Sequence, residues 1–200
     1  ESYKSMKNNI FYTFIVIFFF FSLNLFSEEL EINSDKIQYD DVSKISIFEG
    51  NVNIKDEKGN KLFSEYSEYD KLKQLVKTAG ETKIITSGGY EVSSSNVIFD
   101  HANKIIRSDY KTQIVDKDGN KVFVDMFNYS VLTNIFFSKG NIKVFDINNN
   151  NYNFSEIYID ENKKKIVGSD IKAFLKQKDI LIKSDNEPRF FANSMSLSSN

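Results

Sequence analysis

Beyond residue 28, apolar and polar positions alternate with a period of two, and no long stretch keeps the spacing of a helix. Within Gly50-Asn-Val-Asn-Ile54, Gly80-Glu-Thr-Lys-Ile84, Tyr110-Lys-Thr-Gln-Ile114 and Gly140-Asn-Ile-Lys-Val144, one side carries Val52 and Ile54, Thr82 and Ile84, Thr112 and Ile114, and Ile142 and Val144. The residues between them are Asn, Glu, Lys and Gln. Such alternation predicts strands with one buried and one solvated face.

The pattern recurs. Tyr39-Asp40, Tyr69-Asp70, Phe99-Asp100, Tyr129-Ser130 and Ile159-Asp160 each lie 30 residues after the last. Two positions earlier the column reads Ile37, Ser67, Val97, Phe127 and Ile157, and 23 positions later it reads Leu62, Val92, Val122, Tyr152 and Ile182. Residues that tolerate positive φ mark one set of turns, at Gly59-Asn60, Gly88-Gly89, Gly119-Asn120 and Asn148 to Asn151. Shorter polar turns fall at Asp40-Asp41, Asp70-Lys71, Asp100 to Asn103 and Asp160 to Lys165. A lone hairpin is marginal in water, so units with one apolar face must stack. The prediction is all-β: a stack of about five hairpin units of about 30 residues, apolar faces inward. Two units depart from the pattern. The third has Arg107-Ser-Asp-Tyr110 where glycine is expected, and the fifth sets Gly168-Ser-Asp-Ile-Lys about two positions out of step with Gly140.

Composition narrows the function classes. With 26 basic and 28 acidic residues the formal net charge is -2, so no global field attracts nucleic acid. The absence of cysteine excludes disulfides, thiolate metal sites, a cysteine nucleophile and lipoprotein acylation. Met6 and Lys7, the apolar run Ile10 to Phe21, and Ser22 to Ser27 before Glu28-Glu29 read as a signal peptide cleaved near Ser27. A retained membrane anchor is the alternative, although the run is shorter than the roughly 20 residues of a spanning helix. Residues 1–27 thus read as upstream residues plus signal peptide, 28–185 as the repeat domain, and 186–200 as the start of a following segment in a truncated chain.

The signal peptide, the units of the form YD…EGNVNIKDEKGNKLFSEYSEYD (Tyr39 to Asp70) and TAGETKI (Thr78 to Ile84) together resemble the lipopolysaccharide-transport, or organic-solvent-tolerance, family over roughly residues 30 to 185. The tail, Tyr158 to Leu175 and Asn186 to Met195, looks most like the periplasmic amino-terminal domain of that family's outer-membrane translocon, otherwise like its free periplasmic bridge. The resemblance implies a β-jellyroll in the periplasm, associated with the outer membrane, with no catalysis and no cofactor. It also implies that lipid A acyl chains of lipopolysaccharide lie in an apolar slot and that neighbouring jellyrolls dock by pairing strand edges. The inward lining would be Ile37, Tyr39, Phe48, Val52, Ile54, Leu62, Tyr69, Ile84, Val97, Phe99, Ile114, Val122, Phe127, Tyr129, Ile142, Val144, Ile157 and Ile159. Read from the residues alone, the same columns equally describe a dry core.

Other chemistry is sparse. His101 is the single histidine and sits beside a turn; Asp40, Asp70, Asp100 and Asp160 are turn formers without the glycine-rich repeat of calcium-binding solenoids; Asp116 with Asp118, Asp35 with Asp40, and Lys163 to Lys165 read as solvated charge. Two further readings stay open: an inner-membrane-anchored component of the same family, and a β-solenoid adhesin or polysaccharide-active protein. The second requires an outward cluster of carboxylates or aromatics on consecutive units, and the outward columns read as Asn, Lys, Ser and Glu.

Overall fold

Period-two alternation becomes strand throughout the computed structural model, which describes residues 30–163, 165–174 and 189–198. The signal-peptide reading and Ile182 lie outside the described residues. From Glu31 onward the chain is one antiparallel meander. β1 (Glu31–Asn33) pairs with the second half of β3 (Ile45–Lys55), and β2 (Lys36–Asp40) with its first half. β4 (Lys61–Asp70) and β5 (Leu75–Ile85) follow as full-length neighbours.

The next three strands are each broken in two. β6 (Glu91–Ser95) and β7 (Ile98–Asp100) both pair with β5; β8 (Ile105–Ser108) and β9 (Thr112–Val115) come next, then β10 (Lys121–Val124) and β11 (Phe127–Ser130). One half-sheet runs β6-β9-β10 and the other β7-β8-β11, and β12 (Ile135–Phe145) collects both. β13 (Asn151–Asp160), β14 (Lys165–Phe174) and β15 (Arg189–Ser198) extend the meander.

The long strands β3, β5 and β12 are creased at their middles, and the cause is legible in the backbone. Gly50, Gly80 and Gly140 have φ of 74°, 78° and 112°, and in the strands that carry them two residues face one on a neighbour. A left-handed glycine followed by an extra residue is a β-bulge, which bends the strand and strengthens its twist. Asp35 and Asp125 fasten two of these bulges: each accepts a hydrogen bond from the residue after the glycine, Asn51 Nδ2 at 2.8 Å and Asn141 Nδ2 at 2.9 Å.

The two irregular units resolve in different ways. The third breaks outright between Ser108 and Thr112, around Tyr110. In the fifth, Asp170, with φ of 51°, occupies the position 30 residues after Gly140, and Gly168 stands two residues before it. β14 lacks the extra bulge residue, and its inward phase slips by one, burying Ile171 and turning Lys172 outward.

The creased meander forms two facing walls. Core residues from both sides of the crease, Val124, Ile142, Phe154 and Ile171 on one and Phe127, Phe136 and Ile157 on the other, pack in a single cluster. The turns form two rims. On the first-wall rim, Lys71, His101, Val131 and Glu161 N–H groups donate to carbonyls of Lys44, Gln74, Lys104 and Asn134, each one unit back. On the second-wall rim Gly59, Gly89, Gly119 and Asn149 take positive φ, and Asn60 and Asn120 Oδ1 accept from Ser87 N at 2.8 Å and Ile147 N at 3.1 Å in the next turn. These links tie unit to unit along both rims.

Candidate functional site

Burial of the inward side chains follows depth. Phe48, Val52, Ile54, Leu62, Ile84, Val97, Phe127, Ile142 and Ile157 are buried; Tyr69, Phe99, Ile114, Val122, Tyr129, Val144 and Ile159 are half-buried. Ile37 and Tyr39 face Phe48 and Ser46 across the pair, hence the same side, yet are 59% and 54% exposed. The reason is position: β2 pairs with β3 and has no strand beyond it. At the other end Phe190, opposite inward Ala173 on the last strand, is 57% exposed. Among the described residues the inward face is thus a trough lined with apolar groups and uncovered at both ends.

The floor of the trough changes character along its length. One column reads Ser64, Ser94, Val124 and Phe154, and a second reads Ser67, Val97, Phe127 and Ile157. In these two columns small hydroxyl side chains give way to branched and aromatic ones, while the column Phe48, Thr78, Ser108, Ser138 and Gly168 runs the other way. Sequence reasoning passed over Ser64, Ser67, Thr78, Ser94 and Ser108 because they are polar, and over Phe136, Phe154 and Ile171 because their columns were not followed.

The hydroxyls have a structural cause. Breaking the ladder at the crease strands backbone groups in the interior, where an unpaired amide is costly. Thr78 Oγ1 accepts from Val97 N at 2.9 Å, Ser108 Oγ donates to Ser95 O and Ser138 Oγ to Met126 O, both at 2.7 Å. Two hydroxyl pairs, Thr78 with Thr82 and Ser94 with Thr112, meet at 2.7 Å. Ser67 Oγ, fully buried, has no partner.

No family model matches the chain, and no curated protein matches it. Among solved structures it is similar to LptH of Pseudomonas aeruginosa, described as the LptA-homologous periplasmic component of the lipopolysaccharide transport device. The identity is 14% over 82% of this chain and 94% of that one, with a TM-score of 0.31. So loose a superposition carries no weight for function, which rests on the geometry of the trough and on the resemblance of the repeats.

Electrostatics define the mouth. Burial, then the charge of Glu161, pushes the Tyr90 phenol up. Burial and then the same Glu161 push Tyr129 up, and its hydroxyl lies 3.2 Å from the Glu161 carboxylate. His101 packs edge-on against Phe99 at 5.6 Å. Among the described residues no three His, Asp or Glu side chains are grouped to hold a metal ion. The expectation that outward columns hold no aromatic cluster is incorrect: Phe123, Phe145, Phe174 and Phe191 all lie on the outer face of the second wall.

Proposed function

We propose that the trough carries the acyl chains of lipopolysaccharide through the periplasm, with the sugars outside, and that its open ends dock to neighbouring jellyrolls by strand-edge pairing. The observation that supports this reading best is the exposure of inward apolar side chains at both ends, Ile37 and Tyr39 at one and Phe190 at the other. A dry core gains nothing from such ends. A conduit continued by a partner covers them, and edges at β2 and β15 that pair with no further strand among the described residues suit that continuation. The transfer energy gives the trough its reason: at about 0.8 kcal/mol per methylene, a fourteen-carbon chain costs roughly 10 kcal/mol in water. Within the family the chain reads as the amino-terminal domain of the outer-membrane translocon, otherwise as the free bridge.

Site-specific photocrosslinking of intact lipopolysaccharide tests the reading. Probes at half-buried Ile114 and Phe99 should give adducts, and a probe at Lys77, outward on the first wall, should not. Equal yields from both faces, or none from a folded protein, would return the interior to an ordinary core.

A further inference from the structure

The outer face of the second wall carries a second kind of surface. Across β10, β12, β13, β14 and β15 one cross-strand row reads Phe123, Lys143, Asn153, Lys172 and Phe191. The row above it, next to the rim, reads Lys121, Phe145, Asn151, Phe174 and Arg189. All these side chains alternate with inward ones and so point away from the trough. Four phenylalanines interleave with four cations and two asparagines, and no carboxylate is among the ten positions, in a chain whose net charge is -2.

Among the described residues none of the four cations forms an ion pair, whereas on the same wall nearer the amino terminus Lys83 meets Glu91 at 2.9 Å. Phe191 is 67% exposed and Phe123 37%. Arg189 lies over the Phe174 ring at 5.7 Å, and Phe123 meets Phe145 edge-on at 5.9 Å. The Oδ1 atoms of Asn151 and Asn153 are buried and accept no hydrogen bond, so the accessible chemistry of the face is that of its cations and phenylalanines.

We infer that this face binds the phosphate-bearing saccharide of the cargo, which rests on the reading that the cargo is lipopolysaccharide. Cations match phosphates, and phenylalanine faces match the apolar faces of sugar rings. The rim-side row begins beside the turn at Asp146 to Asn150, at the edge of the mouth where a saccharide leaves the trough. Shape selects the occupant over a membrane. Four strand steps span about 19 Å and turn the row through roughly 80–100°, so a planar bilayer meets part of it while a flexible chain follows it.

The test is calorimetric titration of the purified protein with deacylated lipopolysaccharide that retains its phosphates. Binding should weaken with salt, fall at least tenfold in the Lys143→Glu/Lys172→Glu variant, vanish with dephosphorylated saccharide, and survive Lys77→Glu on the other wall. An unchanged melt shows that the variant is folded, and Lys143→Gln/Lys172→Gln is the milder substitute should it not be. No binding by the wild type, or equal binding by the variant, overturns the inference, as does loss of phosphatidylglycerol-vesicle binding in the variant when the saccharide itself is not bound. Crosslinking of intact lipopolysaccharide at Ile114 separates the two proposals: adducts with no saccharide binding leave the trough standing alone, and saccharide binding with no adducts leaves the outer face alone.

Discussion

Gly168→Ala puts the packing of the last strands to a quantitative test. A Cβ at Gly168 would lie 2.5 Å from Phe154 Cδ1 and 2.8 Å from Cε1, where carbon pairs prefer about 3.5–4.0 Å. The ring cannot swing away, because Phe154 is 7% exposed and packed against Val124, Phe127, Ile142, Ile157 and Ile171. Overpacking of this kind costs about 1–3 kcal/mol, while replacing glycine where φ is ordinary returns about 0.4–1 kcal/mol through the unfolded chain. The net is a loss of roughly 1–2 kcal/mol, which for a domain of this size lowers Tm by about 2–8 °C. Equilibrium urea unfolding followed by circular dichroism measures it. In a Phe154→Leu background the clash is gone, so the alanine should become neutral or stabilising, a coupling of about 1 kcal/mol or more. A Gly168→Ala protein as stable as wild type, or strict additivity with Phe154→Leu, would refute the contact and with it the register of β13 on β14.

The remaining predictions concern the rims. Asn60→Ala removes a donor to Asp56 at 2.7 Å and the acceptor for Ser87 N at 2.8 Å, and should cost about 1–2 kcal/mol in the same unfolding assay, as should Asn120→Ala at its equivalent site. At Asp70 the Lys73 ammonium, and at Asp100 the Asn103 amide and backbone, hold the carboxyls below the ordinary 3.8. Groups depressed on folding contribute in full above that value, and the contribution is lost as pH falls through the folded pKa, so melts should be level from pH 8 to 5 and drop below about pH 4. Burial, then Glu161, raises Tyr129 above 10.0, so its contribution is complete below that value and lost as pH rises beyond it; Tyr129→Phe should flatten the alkaline limb.

Much of the fold was legible because the repeat is written in chemistry that acts locally. Gly59, Gly89 and Gly119 could be assigned to turns from identity alone, since each adopts positive φ there. Strand faces followed from alternation. The crease was not legible, because its signal is split: Gly50, Gly80 and Gly140 make bulges, while Asn96 and Asp170 adopt the same left-handed region without being glycine. Asp170 shows the difficulty most plainly. Gly168, two positions before it, is small for a different reason, the Phe154 ring against it.

The two surfaces of the second wall also differ in how sequence reveals them. An inward column keeps its apolar character because a polar substitution there is penalised wherever it occurs, except at the crease, where hydroxyls offset broken backbone pairing. An outward column has no such constraint, so Lys55, Lys61, Ile85, Glu91, Val115, Lys121, Phe145, Asn151, Phe174 and Arg189 look like noise when read along the chain. They become a row only through cross-strand register, and its one carboxylate, Glu91, lies outside the last five members. Solvation alone explains an outward column of mixed charge such as its first four members. It does not explain four phenylalanines on the wet side of a wall whose dry side already holds the core, and a bound partner there would remove from water the apolar area that folding leaves exposed.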